Sequence, residues 1–344
     1  MEMTFSRSSE QTVLLIREMS EVAAARRMAC SLGQRLGFNE TRLGQLALVV
    51  TEAATNIVKH AAPGEILLRP LQCGSQAGIE ILALDDGPGM FDLSLQMEDG
   101  QSSKGSYGVG LGALKRLSQE FDIFTLPQQG SVLRMALWAD GEMPSASHWD
   151  IGAICLPLAG QEACGDAWAI SSGPSDLAIM VSDGLGHGAD AAMASQLAVD
   201  SFEMSLNKDA YSPPEKLIST INKDLHGSRG AAIAVAQIDK ESKLLEFSGV
   251  GNISAGVFNG TRRKHLISHN GIVGSNIHKL TRSELAWDCS ALFIAHSDGI
   301  NTRWSLGEYP GLEQCHPGII AGILYRDFNR HCDDVCVVIL RVAF

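Results

Sequence analysis

The stretch Val181-Ser-Asp-Gly-Leu-Gly-His-Gly188 restricts its surroundings to very few local structures. Ahead of it, Asp176-Leu-Ala-Ile-Met-Val-Ser182 is a short aliphatic run of the kind a buried strand requires, and residues 189–206 beyond it read as a helix. Asp183 therefore stands where a strand stops. Glycines 184, 186 and 188 let the backbone turn sharply and approach a ligand, so that a carboxylate and a neighbouring carbonyl can face one cation. Taken alone, an Asp-Gly step is only a turn. The pattern recurs, however: Gly78-Ile-Glu-Ile-Leu-Ala-Leu84 runs into Asp85-Asp-Gly-Pro-Gly-Met90, and Ala291-Leu-Phe-Ile-Ala-His-Ser297 runs into Asp298-Gly299.

A chain of 344 residues suits two domains, and 45% hydrophobic with 19% charged residues argues against chain-wide disorder. The turn-rich stretch Ala139-Asp-Gly-Glu-Met-Pro-Ser-Ala-Ser-His148 is the expected linker, dividing an α+β chain into residues 1–138 and 149–344. Lys and Arg number 27 against 39 Asp and Glu, a net charge of −12 without a basic cluster, so direct nucleic-acid binding is not expected. The eight cysteines form no Cys-x-x-Cys pair, and Cys332 and Cys336 lack the companions of a zinc site; reduced thiols are the expectation. No leader pattern opens the chain and no apolar run reaches the ~20 residues that cross a bilayer, which predicts a cytoplasmic protein with no membrane association.

In the first half, Thr12-Val-Leu-Leu-Ile16 reads as a first strand, followed by a helix capped at Ser20 and reaching about residue 38. The next helix, residues 40–61, carries Glu52, Asn56 and His60 at four-residue spacing on one face of an otherwise apolar run. Such a face can simply be solvated. Two strands then lead to the Asp85 turn, and Ser102-Ser-Lys-Gly-Ser-Tyr-Gly-Val-Gly-Leu-Gly-Ala-Leu-Lys-Arg116 is a glycine-rich loop opening a helix, where backbone amides can hold phosphates. A helix with Glu-x-x-x-Asn, then Asp-x-Gly-x-Gly, then a glycine-rich helix entry is specific as an ordered set.

That set resembles the ATP-binding fold of gyrase, Hsp-type chaperones and histidine kinases (GHKL, the Bergerat fold). Within it, the similarity is to RsbT-like switch kinases, through Ala24-Ala-Arg26, Leu36-Gly-Phe38, Asp85-Asp-Gly-Pro-Gly89, Met97-Glu-Asp-Gly100, Gly110-Leu-Gly112, Lys115-Arg-Leu117 and Glu120-Phe121. The resemblance implies ATP with Mg²⁺ as cofactors. It assigns Asn56 to the Mg²⁺ that bridges the phosphates, Glu52 to the proton of the attacking serine hydroxyl, Asp85 to the adenine amino group, Gly87 and Gly89 to the room for the base, and Gly108, Gly110 and Gly112 to a lid over the phosphates.

In the second half, Asp166 follows Gly165 at the start of a strand and Asp333-Asp334 opens the last one, joining Asp183 and Asp298 as acids at strand ends. Any one can be a turn aspartate. Together they offer the all-oxygen donor set that hard divalent cations take, and two such cations can activate water for phosphate-ester hydrolysis. Gly165-Asp166, Ser182-Asp-Gly-Leu-Gly-His-Gly188, Gly249-Val-Gly-Asn252, Ser297-Asp-Gly299 and Asp333-Asp334 resemble the metal-dependent PPM phosphatases of the SpoIIE and RsbX-like branch, which implies an α-β-β-α sandwich. By that resemblance Asp183 bridges two Mn²⁺ or Mg²⁺ ions and takes part in catalysis, Gly184 lends its carbonyl, Asp166 serves the second metal, and Asp298 and Asp333 serve the first, with Asp334 the weaker member of its pair. Cys164 replaces a glycine common there in the family.

The two resemblances imply a bifunctional partner-switching regulator, phosphorylating and dephosphorylating serine or threonine on STAS-domain proteins, either an antagonist controlling a sigma factor or a stressosome-type scaffold. The competing expectation is a phosphatase whose N-terminal domain binds ATP as a non-catalytic sensor or adaptor.

Overall fold

The computed structural model describes residues 4–7, 11–91, 110–144, 148–209, 211–260 and 262–343. It divides into two compact units, one made of residues 9–146 and 314–326, the other of residues 1–8, 147–313 and 327–344. A single cut at residues 139–148 thus leaves two stretches on the other side: the N-terminal strand and a late helix.

In chain order the main elements are β1 (Thr4–Arg7), β2 (Thr12–Ile16), α1 (Met19–Arg35), α2 (Glu40–His60), β3 (Gly64–Cys73), β4 (Gln76–Asp85), α3 (Leu111–Leu117), β5 (Glu120–Thr125) and β6 (Ser131–Trp138). There follow β7 (Trp149–Leu156), β8 (Asp166–Ser172), β9 (Asp176–Gly184), α4 (Ala189–Lys208), α5 (Pro214–Asp224), β10 (Ala231–Asp239), β11 (Leu244–Val250), β12 (Ser254–Asn259) and β13 (Arg262–Leu266). The short β14 (Gly271–Ile272), β15 (Asn276–Ile277) and β16 (Ser283–Ala286) precede β17 (Leu292–His296), α6 (Pro317–Phe328) and β18 (Val335–Val342).

The unit of residues 9–146 and 314–326 is built on an antiparallel sheet of order β2-β3-β4-β6-β5. Alternate residues of its strands, Ile79, Ile81, Ala83, Leu133 and Met135, join Val22, Ala29, Leu46, Val50 and Ile57 of α1 and α2 in one apolar core. The helix predicted to be capped at Ser20 starts earlier: Glu18 is the N-cap, and the Glu21 carboxylate reaches back to accept the Glu18 N–H at 3.1 Å, the reciprocal bond of a capping box. On the other face of the sheet lies Glu80, 1% exposed, with one carboxylate oxygen accepting from Arg69 Nε at 2.9 Å and the other from Arg134 Nε at 2.6 Å. Burial pushes the Glu80 carboxyl up, but the two guanidinium groups outweigh it and hold it below the usual range.

In the other unit two sheets stack. One has the order β1-β8-β9-β10-β11-β16, the second β13-β12-β17-β18-β7. Trp168, Ile170, Ile179, Val181 and Phe247 of the first meet Cys155, Ala255, Phe293 and Val338 of the second in the core between them. The intervening residues Ala167, Ala169 and Met180 point the other way, onto Phe202 of α4 and Leu217 of α5. Among the described residues no helix is long and apolar enough to cross a membrane. None of the eight cysteines is in a disulfide; Cys336, which the sequence sets near Cys332, lies opposite Cys155 in the β7–β18 register.

Candidate active sites

In the stacked-sheet unit, antiparallel pairing sets Asp166 of β8 directly opposite Asp183 of β9. Beyond Asp183 the strand ends against α4: a Cβ on Gly184 would lie 2.2 Å from the Ala191 carbonyl oxygen, so only glycine lets the turn pass so close to the helix. Gly186 then turns at φ +86°, a value that strains other residues. Asn252, in the loop before β12, donates to the Asp298 carboxylate at 2.9 Å and also hydrogen-bonds Asp183. It ties two strand ends together, a role the Gly249-Val-Gly-Asn252 motif by itself does not assign.

Burial, then the charges of Asp298, Asp333 and Asp334, push the Asp183 carboxyl up to about 7, against the pull of the Asn252 hydrogen bond. Asp166, buried and facing Asp183, is raised well above the carboxylate range for the same two reasons, although Ser297 Oγ donates to it at 2.6 Å. The two members of the Asp333-Asp334 pair differ in task. Asp334 is buried and spends both oxygens on main chain, accepting from Leu158 N–H and Gly165 N–H at 2.7 Å each, and so fixes the loop leading to Asp166. Asp333 is half-buried and acts on Asp183 through its charge. His187 is exposed in the turn.

The donor set is one a hard divalent cation accepts: carboxylates, a carbonyl and no soft ligand among them. Among the described residues no three His, Cys, Asp or Glu side chains close on one point. Burial and the surrounding anions make the negative form of the Asp183 carboxyl costly, a cost that a positive charge beside it would relieve. By their chemistry, all oxygen donors, the residues fit such cations.

One consequence can be measured. A carboxyl raised in the folded state stabilises the fold fully below its ordinary unfolded value, and that contribution is lost as pH rises through about 7. The metal-free chain should therefore melt several degrees lower at pH 8 than at pH 5.5. Mn²⁺ should raise the melting temperature more at pH 8, and Asp183→Asn should flatten the pH difference. An equal pH slope in wild type and Asp183→Asn would contradict this assignment.

In the other unit, Glu52 and Asn56 lie half-buried one turn apart on α2 and hydrogen-bond each other. Burial raises the Glu52 carboxyl, opposed by the Lys59 charge and the Asn56 hydrogen bond. His60 ends the helix and is exposed. Asp85 closes β4 in register with Ser131, and its Oδ1 accepts Gly87 N–H at 2.9 Å. Burial, countered in order by Gly87 N–H, the Arg326 charge and Ser131, leaves the Asp85 carboxyl raised. A Cβ on Gly87 would come within 2.4 Å of the Ala61 Cβ, and one on Gly89 within 2.0 Å of the Leu126 carbonyl, so both glycines are required by crowding around the turn. Thr125 Oγ1 pairs with Ser131 Oγ at 3.0 Å and accepts Met90 N–H at 3.0 Å, placing two hydroxyls beside Asp85 that no sequence motif marked.

The predicted lid glycines separate. Gly108 and the Met97-Glu-Asp-Gly100 motif lie outside the described residues. Gly110 is the exposed N-cap of α3, and Gly112 is buried in its first turn, so Gly112 belongs to the helix and not to a covering loop.

Family comparisons follow the same division. The model described as Histidine kinase-like ATPase domain matches residues 17–137, and that described as Stage II sporulation protein E (SpoIIE) matches residues 173–343. The serine/threonine-protein kinase RsbT of Bacillus subtilis (strain 168) is 30% identical over 130 residues, which is 38% of this chain and 98% of that protein. A solved structure described as "The bacterial stressosome: a modular system that has been adapted to control secondary messenger signaling" is 27% identical, with a TM-score of 0.52, covering 57% of this chain and all of that one. RsbX in complex with magnesium is similar in fold, with a TM-score of 0.52 at 20% identity over 59% of this chain and 99% of RsbX.

Proposed function

We propose that this chain, which belongs through its N-terminal part to the RsbT family of serine/threonine-protein kinases and carries a SpoIIE-type PPM phosphatase domain after it, both adds and removes phosphate on STAS-domain proteins. The supporting observation is that each unit holds its own chemistry-bearing set: Glu52 hydrogen-bonded to Asn56 in one, and Asp183 among Asp166, Asp298 and Asp333 in the other.

In the proposed kinase, Mg-ATP supplies the phosphoryl group. Glu52 takes the proton of the substrate hydroxyl; its raised carboxyl makes it a better base than an ordinary glutamate. Asn56 lies one turn along to hold the metal, and Asp85 reads the adenine amino group at the end of a strand whose following turn, through Gly87 and Gly89, packs closely on Ala61 and Leu126. In the proposed phosphatase, divalent cations would supply an activated water and neutralise phosphoryl oxygens. Asp183, whose carboxyl feels the charges of Asp298 and Asp333 and faces Asp166 across the strand pair, would be the carboxylate shared by these ions, and Gly184 would lend its carbonyl. Asp166 would serve one ion and Asp298 and Asp333 the other, while Ser297 and Asn252 hydrogen-bond these carboxylates and Asp334 fixes the loop leading to Asp166. The domains are the two units, residues 9–146 with 314–326 and the remainder. Cysteines outside any disulfide accord with a reducing, cytoplasmic setting.

The partner is proposed from the kinship with RsbT and the likeness to a stressosome structure. A test takes purified STAS-domain proteins from the same organism, phosphorylates them with γ-labelled ATP and the full chain, and follows release of the label with Mn²⁺ or Mg²⁺. Label should enter a serine or threonine and leave again, with release stopped by chelation. Release that survives chelation would overturn the metal-dependent phosphatase. Nucleotide binding without transfer would reduce the first unit to a sensor.

A further inference from the structure

Residues 314–326 begin 177 residues beyond the end of the ATPase match at 17–137, yet they belong to the same compact unit. In α6, Gly318 and Gly322 are four residues apart and share a face. A Cβ on Gly318 would stand 2.9 Å from Arg134 Cδ, and one on Gly322 2.8 Å from Val132 Cγ1, so both glycines bring the helix backbone onto the face of β6 turned away from α1 and α2. The segment is held at both ends. Before the helix, His316 N–H donates to Asp122 Oδ2 at 2.6 Å. Near its end, Arg326 Nη1 donates to the Asp85 carbonyl at 2.9 Å, while Nε lies 3.3 Å from the exposed Asp86 carboxylate. The Arg326 side chain is 7% exposed, and a Cβ on Gly130 would stand 2.9 Å from its Nη1 and 1.9 Å from the Asp85 carbonyl oxygen. The guanidinium thus reaches the main chain of Asp85 through a gap that only glycine leaves.

We infer that Arg326 is a positioning residue of the nucleotide site, fixing the Asp85 main chain so that its carboxylate meets the base, and that residues 314–326 are therefore part of that site. This rests on the proposed ATP-binding reading of residues 17–137. A carboxylate accepts the exocyclic amino group of adenine but repels the carbonyl oxygen that guanine presents at the same place, so adenine preference depends on where the carboxylate is held. A charged donor on the Asp85 carbonyl supplies that restraint from outside the strand.

The experiment uses the full chain and measures Mg-ADP and Mg-GDP affinity by calorimetry in wild type, Arg326→Lys and Arg326→Ala. Arg326→Ala should weaken ADP by about tenfold and narrow the ADP over GDP preference, with Arg326→Lys, which keeps a donor and a charge, recovering part of both. The preference ratio does not depend on how much of a sample is folded, so a general loss of structure cannot imitate the result. Wild-type affinity and an unchanged ratio in Arg326→Ala would overturn the inference while leaving the nucleotide site standing. Failure of the wild-type chain to bind ADP would remove the nucleotide reading itself and the inference with it.

Discussion

Asp183→Asn is expected to lower metal-dependent phosphate-ester hydrolysis by about three orders of magnitude or more, since metal activation supplies several kcal/mol and each ~1.4 kcal/mol is tenfold in rate. The substitution keeps the size and the strand register and removes a charge. That charge faces Asp166 across the β8–β9 pair and stands in the field of Asp298 and Asp333, so its loss would remove the carboxylate that the proposed mechanism shares between the ions. In the metal-free chain the same change should be harmless or stabilising at pH 8, because it relieves repulsion among buried acids. Loss of activity with gain of metal-free stability separates a functional carboxylate from a structural one. Asp334→Asn should behave in the reverse sense, because its oxygens accept the Leu158 and Gly165 N–H groups and an amide can accept only through one. Hydrolysis by Asp183→Asn within tenfold of wild type, measured with p-nitrophenyl phosphate and Mn²⁺, would sink the bridging role.

What the sequence disclosed and what it withheld follow from the range of the interactions. Strand ends were legible at Asp85, Asp183 and Asp298, where an aliphatic run meets a glycine turn and the local pattern carries the information. The Glu52–Asn56 pairing was legible because four residues are one helical turn. The division of labour between Asp333 and Asp334 was legible only as an asymmetry. What decides it is that the Leu158 and Gly165 amides, far away in sequence, converge on Asp334. Helix α6 was not foreseen: Pro317–Tyr325 is buried throughout, so it lacks the polar face that gives a helical period its signal. Arg326 and Gly130 were hidden for the same reason, since their significance lies in a meeting with Asp85 that no spacing encodes. The early start of α1 was missed because a glutamate at the N-cap is an uncommon choice.

Glu52→Gln should reduce phosphoryl transfer to a STAS-domain protein by about 10²–10⁴-fold while leaving nucleotide affinity within a few-fold, the range a positioned general base contributes. The variant is best read in an Asp183→Asn chain, so that any label transferred is not hydrolysed. Glutamine preserves the shape of the side chain and can still hydrogen-bond Asn56, but it cannot accept a proton, so the loss falls on the chemical step. Asn56→Ala should instead cost nucleotide affinity and transfer together, because in the proposed reading it would hold the metal. The pH profile gives a third reading of the same group. Burial raises the Glu52 carboxyl, so transfer should decline on the acid side at a higher pH than an unperturbed glutamate would dictate; Lys59→Met, which removes the opposing charge, should move that decline higher still. Undiminished transfer by Glu52→Gln would exclude Glu52 as the base. Transfer absent from every chain that still binds ADP would leave the N-terminal unit as a nucleotide sensor attached to a phosphatase, with Arg326 and α6 still part of its adenine site.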